Sequence, residues 1–412
     1  MKKLLSFALV MMMLMALAVP AMAEGEVTLK WMHHFQEEPL QKWVEGRAAA
    51  FEESHPGVKV EIEMVSNDSY LNTLKMKMAA DDAPDMFDLD NNTYLREFVD
   101  ADYIYCVDGQ DVFGEVDEAL LGDCQIDGVR YGSTISTAAY SIWYNKEVFE
   151  KVGVEVPTTY EEFIDVCEKI QAAGITPMAT AFAERSIGFN MWFHPFYTNY
   201  CWKDDFNWAV DKASGKSTFA EDDRPKKAWE EFMSTSKYWS DDPFGTSYDD
   251  ACMAIANGEA AMISNGTWIL AKLLEYNPDI QLGVFGYPTK EFGGNLVMRP
   301  GSIMCVYNNT KDEKKLELTK ELFASLFTPE SGEAFASGAM QLSSVKGVDY
   351  SFSPVLGEII DYPNYWSIAG FQRWGNEYED VFFDVAMALA LDGNADPEAF
   401  CAELDAQFST IQ

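Results

Sequence analysis

The sequence predicts an α/β protein of two lobes, and three features carry that expectation. Stretches with period-two hydrophobicity alternate with stretches of helical period along most of the chain. Near the N-terminus a strand, a helix and a second strand follow one another closely, a βαβ spacing that implies parallel pairing. The chain is 412 residues long, more than one hydrophobic core usually organises.

The elements follow in order. "VTLKW" from Val27 alternates and reads as a strand, and Leu40, Trp43, Val44, Ala48 and Phe51 then recur at helical spacing. His55-Pro56-Gly57 stops that helix, and "VKVEIEMV" places Val58, Val60, Ile62 and Met64 on one face of a second strand. "SYLNTLKMKMAADD" is helical, while "DMFDLD" and "YSIWYNK" are strands. Thr158 with Glu161 fits a capping box for "YEEFIDVCEKIQAAG", closed by Gly174. "SYDDACMAIANG" is a helix ended by Gly258, "EAAMIS" a strand, and "TWILAKLLEY" the next helix. "IQLGVFGYP" and "NLVMRPGSIMCVY" read as strands, and final helices fall near 312–328 and 396–411.

The first 23 residues carry two lysines, an apolar run from Leu4 to Val19 and Ala21-Met22-Ala23, the pattern of a secretory signal peptide cleaved after Ala23. The apolar run falls short of the roughly 20 residues a bilayer span needs. The rest of the chain is expected to be extracytoplasmic. A formal charge of −37 argues against nucleic acid and anionic membranes as partners. Seven scattered cysteines without a C-x-x-C pair give no zinc-ribbon or thioredoxin motif, and leave both disulfides and buried thiols open.

Several segments in series resemble a known family. "VTLKWMHHF", "AAFEESHPGVKVEIEMV", "AADDAPDMFDLD", "WYNKEVFEKVGVEVPTTYEEF", "NGEAAMISNGTW" and "LFTPESGEAFA" are similar to the extracellular solute-binding proteins of family 1, the maltose-binding-protein-like branch. The resemblance implies a type II periplasmic-binding-protein fold, two α/β lobes joined by crossover strands with a ligand between them. It places the crossings near Ser136–Tyr140, Phe285–Pro288 and Ser325–Glu330. The lobes would then comprise 24–138 with 289–328, and 139–288 with 329–412. It further implies a monomer that delivers a neutral mono- or oligosaccharide to ABC transporter permease subunits, with no chemistry and no cofactor.

Ligands of open α/β sheets lie beyond the carboxyl ends of the strands. That rule points to His33, His34, Gln36 and Glu37 after the first strand, and to Asp90, Asn91 and Asn92 after "MFDLD". All carry groups that pair with hydroxyls. A sugar also needs a flat aromatic surface for its C–H faces. Trp268 resembles the family's stacking tryptophan, beside Asn265. Asn190 and Trp192, then Trp366, Arg373 and Trp374, are further candidates, as are Arg299, Gly301 and Ser302 near a crossing. A zinc site needs three or four converging ligands, and adjacent residues of an extended segment point to opposite sides, so His33 and His34 read as a cleft lip rather than a metal pair. "DDAPDMFDLDNN" lacks the order of a calcium loop. A secreted glycoside hydrolase would need two carboxylates flanking the scissile bond, and no local pattern singles out a pair. A polyamine receptor is the other alternative, since an acidic, aromatic cleft suits such a cation.

Overall fold

The computed structural model describes residues 26–35, 37–89, 92–110, 114–202, 205, 207–363, 365–367 and 376–411. The leader at 1–23 lies outside them.

The βαβ expectation is met. Strand Val27–His33 pairs in parallel with Val58–Met64, from Val27 opposite Val58 to His33 opposite Met64. The helix between them, Glu38–Ser54, starts with a proline in its first turn and buries Leu40, Trp43, Val44, Ala48 and Phe51. Gly57, at φ +90°, turns the chain into the second strand, a conformation that costs glycine least. Strand Met86–Leu89 lies on the other side of Val27–His33, then Ile303–Val306 antiparallel to it, with Ser133–Thr134 at the edge. This five-stranded sheet and its helices enclose one core.

A seven-stranded sheet is built around Ser136–Asn145. Nine of the ten residues of that strand are buried, because alternate side chains feed two cores. Tyr140, Ile142 and Tyr144 enter an aromatic-rich one, and Ala139 and Trp143 enter the other. Strands Leu296–Pro300, Ala260–Asn265, Leu282–Phe285 and Leu342–Ser343 all pair antiparallel with it. Thr176–Met178 and Tyr365–Ser367 add at the two edges.

Among the described residues, three stretches of chain pass between the sheets. Thr134 pairs in the first sheet and Ser136 in the second. Pro300 pairs with Thr137 in the second and Ile303 with Thr134 in the first. Leu342–Ser343 joins the second sheet after helix Pro329–Ala339, which packs on the first lobe through Phe335, its ring perpendicular to Trp43 at 5.2 Å. The expected crossings at Phe285–Pro288 and Ser325–Glu330 are therefore displaced. The Pro288 break is a turn inside the second sheet, closed by the bridge between Tyr287 and Asn295. At 325–330, Thr328 caps the next helix by accepting the N–H of Ser331, a helix-to-helix turn within one lobe. Residues 289–300 thus belong with the second sheet and 329–339 with the first, the reverse of the expected bounds.

The capping box also shifts by one residue, to Thr159 with Glu162, while Thr158 adds its hydroxyl to the same carboxylate at 2.8 Å. All seven cysteines are free thiols, six of them buried.

Beneath the second lobe, Glu231 is 1 % exposed, and its carboxylate accepts the Tyr200 hydroxyl at 2.6 Å and the Lys290 N–H at 3.2 Å. Burial pushes its pKa up to about 6 from an ordinary 4.5. The folded state therefore binds the proton more tightly than the unfolded chain, and stability is lost as pH rises from 4.5 through 6 by about 2 kcal/mol. Glu231→Gln removes that dependence. The melting temperature of wild type relative to the variant should fall across this window, and a pH-independent difference would contradict it.

Candidate functional site

The candidate residues that the structure describes fall in two groups, one on each lobe. On the first lobe, His33 ends its strand 1 % exposed, with Nδ1 accepting the N–H of Phe35 at 3.2 Å and its ring stacked on Phe35 at 5.3 Å. Burial holds its pKa below the ordinary value, against the opposing pull of Asp88. His34 turns to different partners. Its Nδ1 meets the carboxylate of Asp88, a group with no exposed side-chain surface, while the imidazole keeps 13 %. The second oxygen of Asp88 accepts the Tyr70 hydroxyl at 3.1 Å, and the Asp88 N–H donates to that same hydroxyl. A buried carboxylate needs such compensation, and the arrangement fixes the His34 ring. Glu37, half-buried at the start of the next helix, faces the second lobe. Its carboxylate is one of the groups that raise the pKa of the Tyr248 phenol, after burial and Cys252.

On the second lobe, Trp268 sits at the head of helix Ile269–Tyr276, following strand Ala260–Asn265. Its ring is half-buried and lies perpendicular to Tyr140, centroids 5.6 Å apart. Tyr140 in turn carries the Arg299 guanidinium at 5.7 Å from its ring centre and the His194 ring at 4.6 Å. Burial and the Arg299 charge hold the His194 pKa down at about 3, so its ring is neutral near pH 7. Trp268, Tyr140 and Arg299 form a row that leads to Pro300, where the chain crosses to the other lobe. Ser302 lies in that crossing, part-exposed.

Other candidates have structural work. Trp192 is 1 % exposed and its indole N–H donates to the Ala179 carbonyl at 2.8 Å, so it is core and faces no cleft. Asn265, equally buried, donates from Nδ2 to the Ile187 carbonyl at 3.0 Å and accepts the Gly266 N–H at 2.9 Å, leaving little for a ligand. Gly301 offers no side chain. Its N–H donates to the Ser136 carbonyl at 2.9 Å, and a Cβ there would sit 2.0 Å from Ser136 Oγ, which would have to rotate away. Asn190 opens helix Asn190–Tyr197 at 6 % exposure, with an Oδ1 that makes no hydrogen bond. Gln36, Asp90, Asn91, Arg373 and Trp374 lie outside the described residues. Of Asn92 and Trp366 the backbone alone is described, the first opening helix Asn92–Asp100 and the second pairing with Val297.

Sequence reasoning missed Asp88, Tyr70, Tyr140 and Tyr248. A carboxylate inside the apolar run "MFDL" was the available signal for Asp88, since such a group is rarely buried without a partner. Tyr140 stood only as the end of an expected crossing, because a strand buried on both faces shows no preferred side. Among the described residues no three histidine, cysteine, aspartate or glutamate side chains gather closely enough to hold a metal ion. A surface pocket of about 360 Å³ around Trp208, Lys212 and Arg224 shares no residue with the row, and Asp222 already neutralises both cations, at 3.3 and 2.8 Å.

Residues 36–333 match the model of the bacterial extracellular solute-binding protein family. The chain belongs to that family. This solute-binding protein is 25 % identical over 305 residues to the multiple sugar-binding protein of Streptococcus mutans, covering 71 % of this chain and 70 % of that one. It is 23 % identical over 315 residues to the melibiose/raffinose/stachyose-binding protein MelE of Bacillus subtilis, covering 73 % and 70 %. The fold is shared with apo RafE of Streptococcus pneumoniae at a TM-score of 0.77 and 22 % identity, over 94 % of this chain and 98 % of that one. Among the described residues of the solute-binding protein, no helix is long and apolar enough to cross a membrane.

Proposed function

We propose that this protein is the substrate-binding component of an ABC importer, and that it captures a neutral mono- or oligosaccharide between its lobes for delivery to the permease. One observation carries the reading. Trp268 holds a part-exposed indole against Tyr140 beside the crossings, a flat apolar surface within reach of polar groups. Sugars are held by such pairs of surfaces, C–H faces on aromatic rings and rim hydroxyls on donors and acceptors. On the opposite lobe His34 and Glu37 supply the polar side, and the sugar specificities in the names of the relatives support the ligand class.

In this reading the protein acts as an exported monomer, the leader at 1–23 serving as its signal peptide. Lobe closure about the three crossings gives the permease a readable signal that the cleft is filled. Asp88 is committed to His34 and Tyr70 and works as a brace rather than as an acid or base. The test is titration calorimetry of the purified protein with melibiose, raffinose, stachyose and a chitin oligosaccharide, with spermidine alongside. Saturable binding of at least one sugar, with no new reducing ends after prolonged incubation, is the expected outcome. Binding of spermidine alone would replace the sugar reading with a polyamine one, and steady sugar turnover would make the protein an enzyme.

A further inference from the structure

The Trp268 ring owes its place to a neighbour with no side chain. An ideal Cβ on Gly266 would lie 2.3 Å from Cη2 and Cζ3 of the indole and 2.7 Å from Cε3, so the benzo edge rests on the Gly266 backbone. Ordinary carbon contacts are about 3.5–4 Å, so any side chain at this position requires a displacement of more than about 1 Å.

The backbone is held. The Gly266 N–H donates to Asn265 Oδ1 at 2.9 Å, and its carbonyl accepts the Ile269 N–H at 3.1 Å. Asn265 is itself tied down, by its Nδ2 on the Ile187 carbonyl at 3.0 Å and by the Trp143 indole N–H on its own carbonyl at 3.2 Å. The ring has no such anchor. Among the described residues its Nε1 is enclosed and makes no hydrogen bond, so packing against Gly266, the perpendicular Tyr140 and the edge of the aromatic core sets its position. If one of the two must give, it is the indole.

We propose that Gly266 is a positioning residue for the Trp268 platform: the absent Cβ lets the indole lie on the main chain and so sets the height at which a sugar ring can stack. This rests on the carbohydrate reading, and it assigns Asn265 a role as the brace that keeps Gly266 rigid.

The test combines a double-mutant cycle with a spectrum of the ligand-free protein. Gly266→Ala, Trp268→Ala and the double variant are titrated with raffinose, stachyose and a chitin oligosaccharide. The near-ultraviolet circular dichroism of Trp268 is isolated by subtracting a Trp268→Phe spectrum in each background. Gly266→Ala should weaken sugar binding about tenfold when Trp268 is present and less than about twofold when it is absent, as side chains in contact couple. The Trp268 band should change in Gly266→Ala. If Gly266→Ala fails to fold, recovery of a cooperative melt in the double variant locates the clash at the ring and supports the proposal. Additive losses, or an unchanged band, would overturn it. A changed band in a protein that binds none of the sugars would uphold the positioning role and remove the carbohydrate reading.

Discussion

Replacing Trp268 with alanine is expected to weaken sugar binding by about 2–3 kcal/mol, or about 30- to 150-fold in Kd, because buried tryptophans at binding surfaces carry disproportionate shares of affinity. The physical reason is local. The ring is half-buried with one edge on Gly266 and Tyr140 at right angles to it, so alanine leaves a gap where the flat surface stood. Folding should suffer less than from loss of a core tryptophan, since the ring keeps part of its surface in water and about 25 cal/mol per Å² applies only to surface that folding removes from it. Calorimetry and a thermal melt on the same sample separate the two quantities. A Kd within threefold of wild type would remove Trp268 from the ligand surface. A melting temperature lowered by more than about 10 °C would recast it as a core residue.

The sequence announced the architecture more readily than the site, and the difference has a physical origin. Strand Val58–Met64 and helix Glu38–Ser54 each bury one side, so the period of their apolar residues shows both type and orientation. The strand at the centre of the second sheet is covered on both faces, which hides the sidedness of Tyr140. Crossings proved harder still. Proline and glycine mark breaks, but Pro288 and Pro329 break the chain inside a lobe, while the passages at Thr134, Gly301 and Leu342 are set by pairings between residues far apart in sequence. The same limit applies to His34. Its role depends on Asp88, which a sequence-local view assigns to a different element. The rule that ligands lie past strand ends points to these loops, yet it could not say that His33 folds back onto Phe35 while His34 reaches Asp88.

Trp192 supplies the opposite case to Trp268, from the same residue type and on the same lobe. Its ring is 1 % exposed in the aromatic core of the second lobe, and its N–H satisfies the buried carbonyl of Ala179. Trp192→Ala removes a large side chain from a close-packed interior and leaves that carbonyl unpaired. Substitutions of this kind cost about 3–5 kcal/mol, a large part of the 5–15 kcal/mol by which a typical domain is stable. The melting temperature should fall by about 10 °C or more, while the fraction that remains folded binds sugar within threefold of wild type. Trp192→Phe keeps most of the volume and loses the hydrogen bond, so it should cost about 1–3 kcal/mol, and the gap between the two variants measures the cavity. The reverse pattern, affinity lost with the melt intact, would put Trp192 in the cleft. Carrying out both alanine substitutions together tests whether exposure is what divides them: one acts on the complex and the other on the fold, so the stability loss of the double variant should equal that of Trp192→Ala and its Kd that of Trp268→Ala.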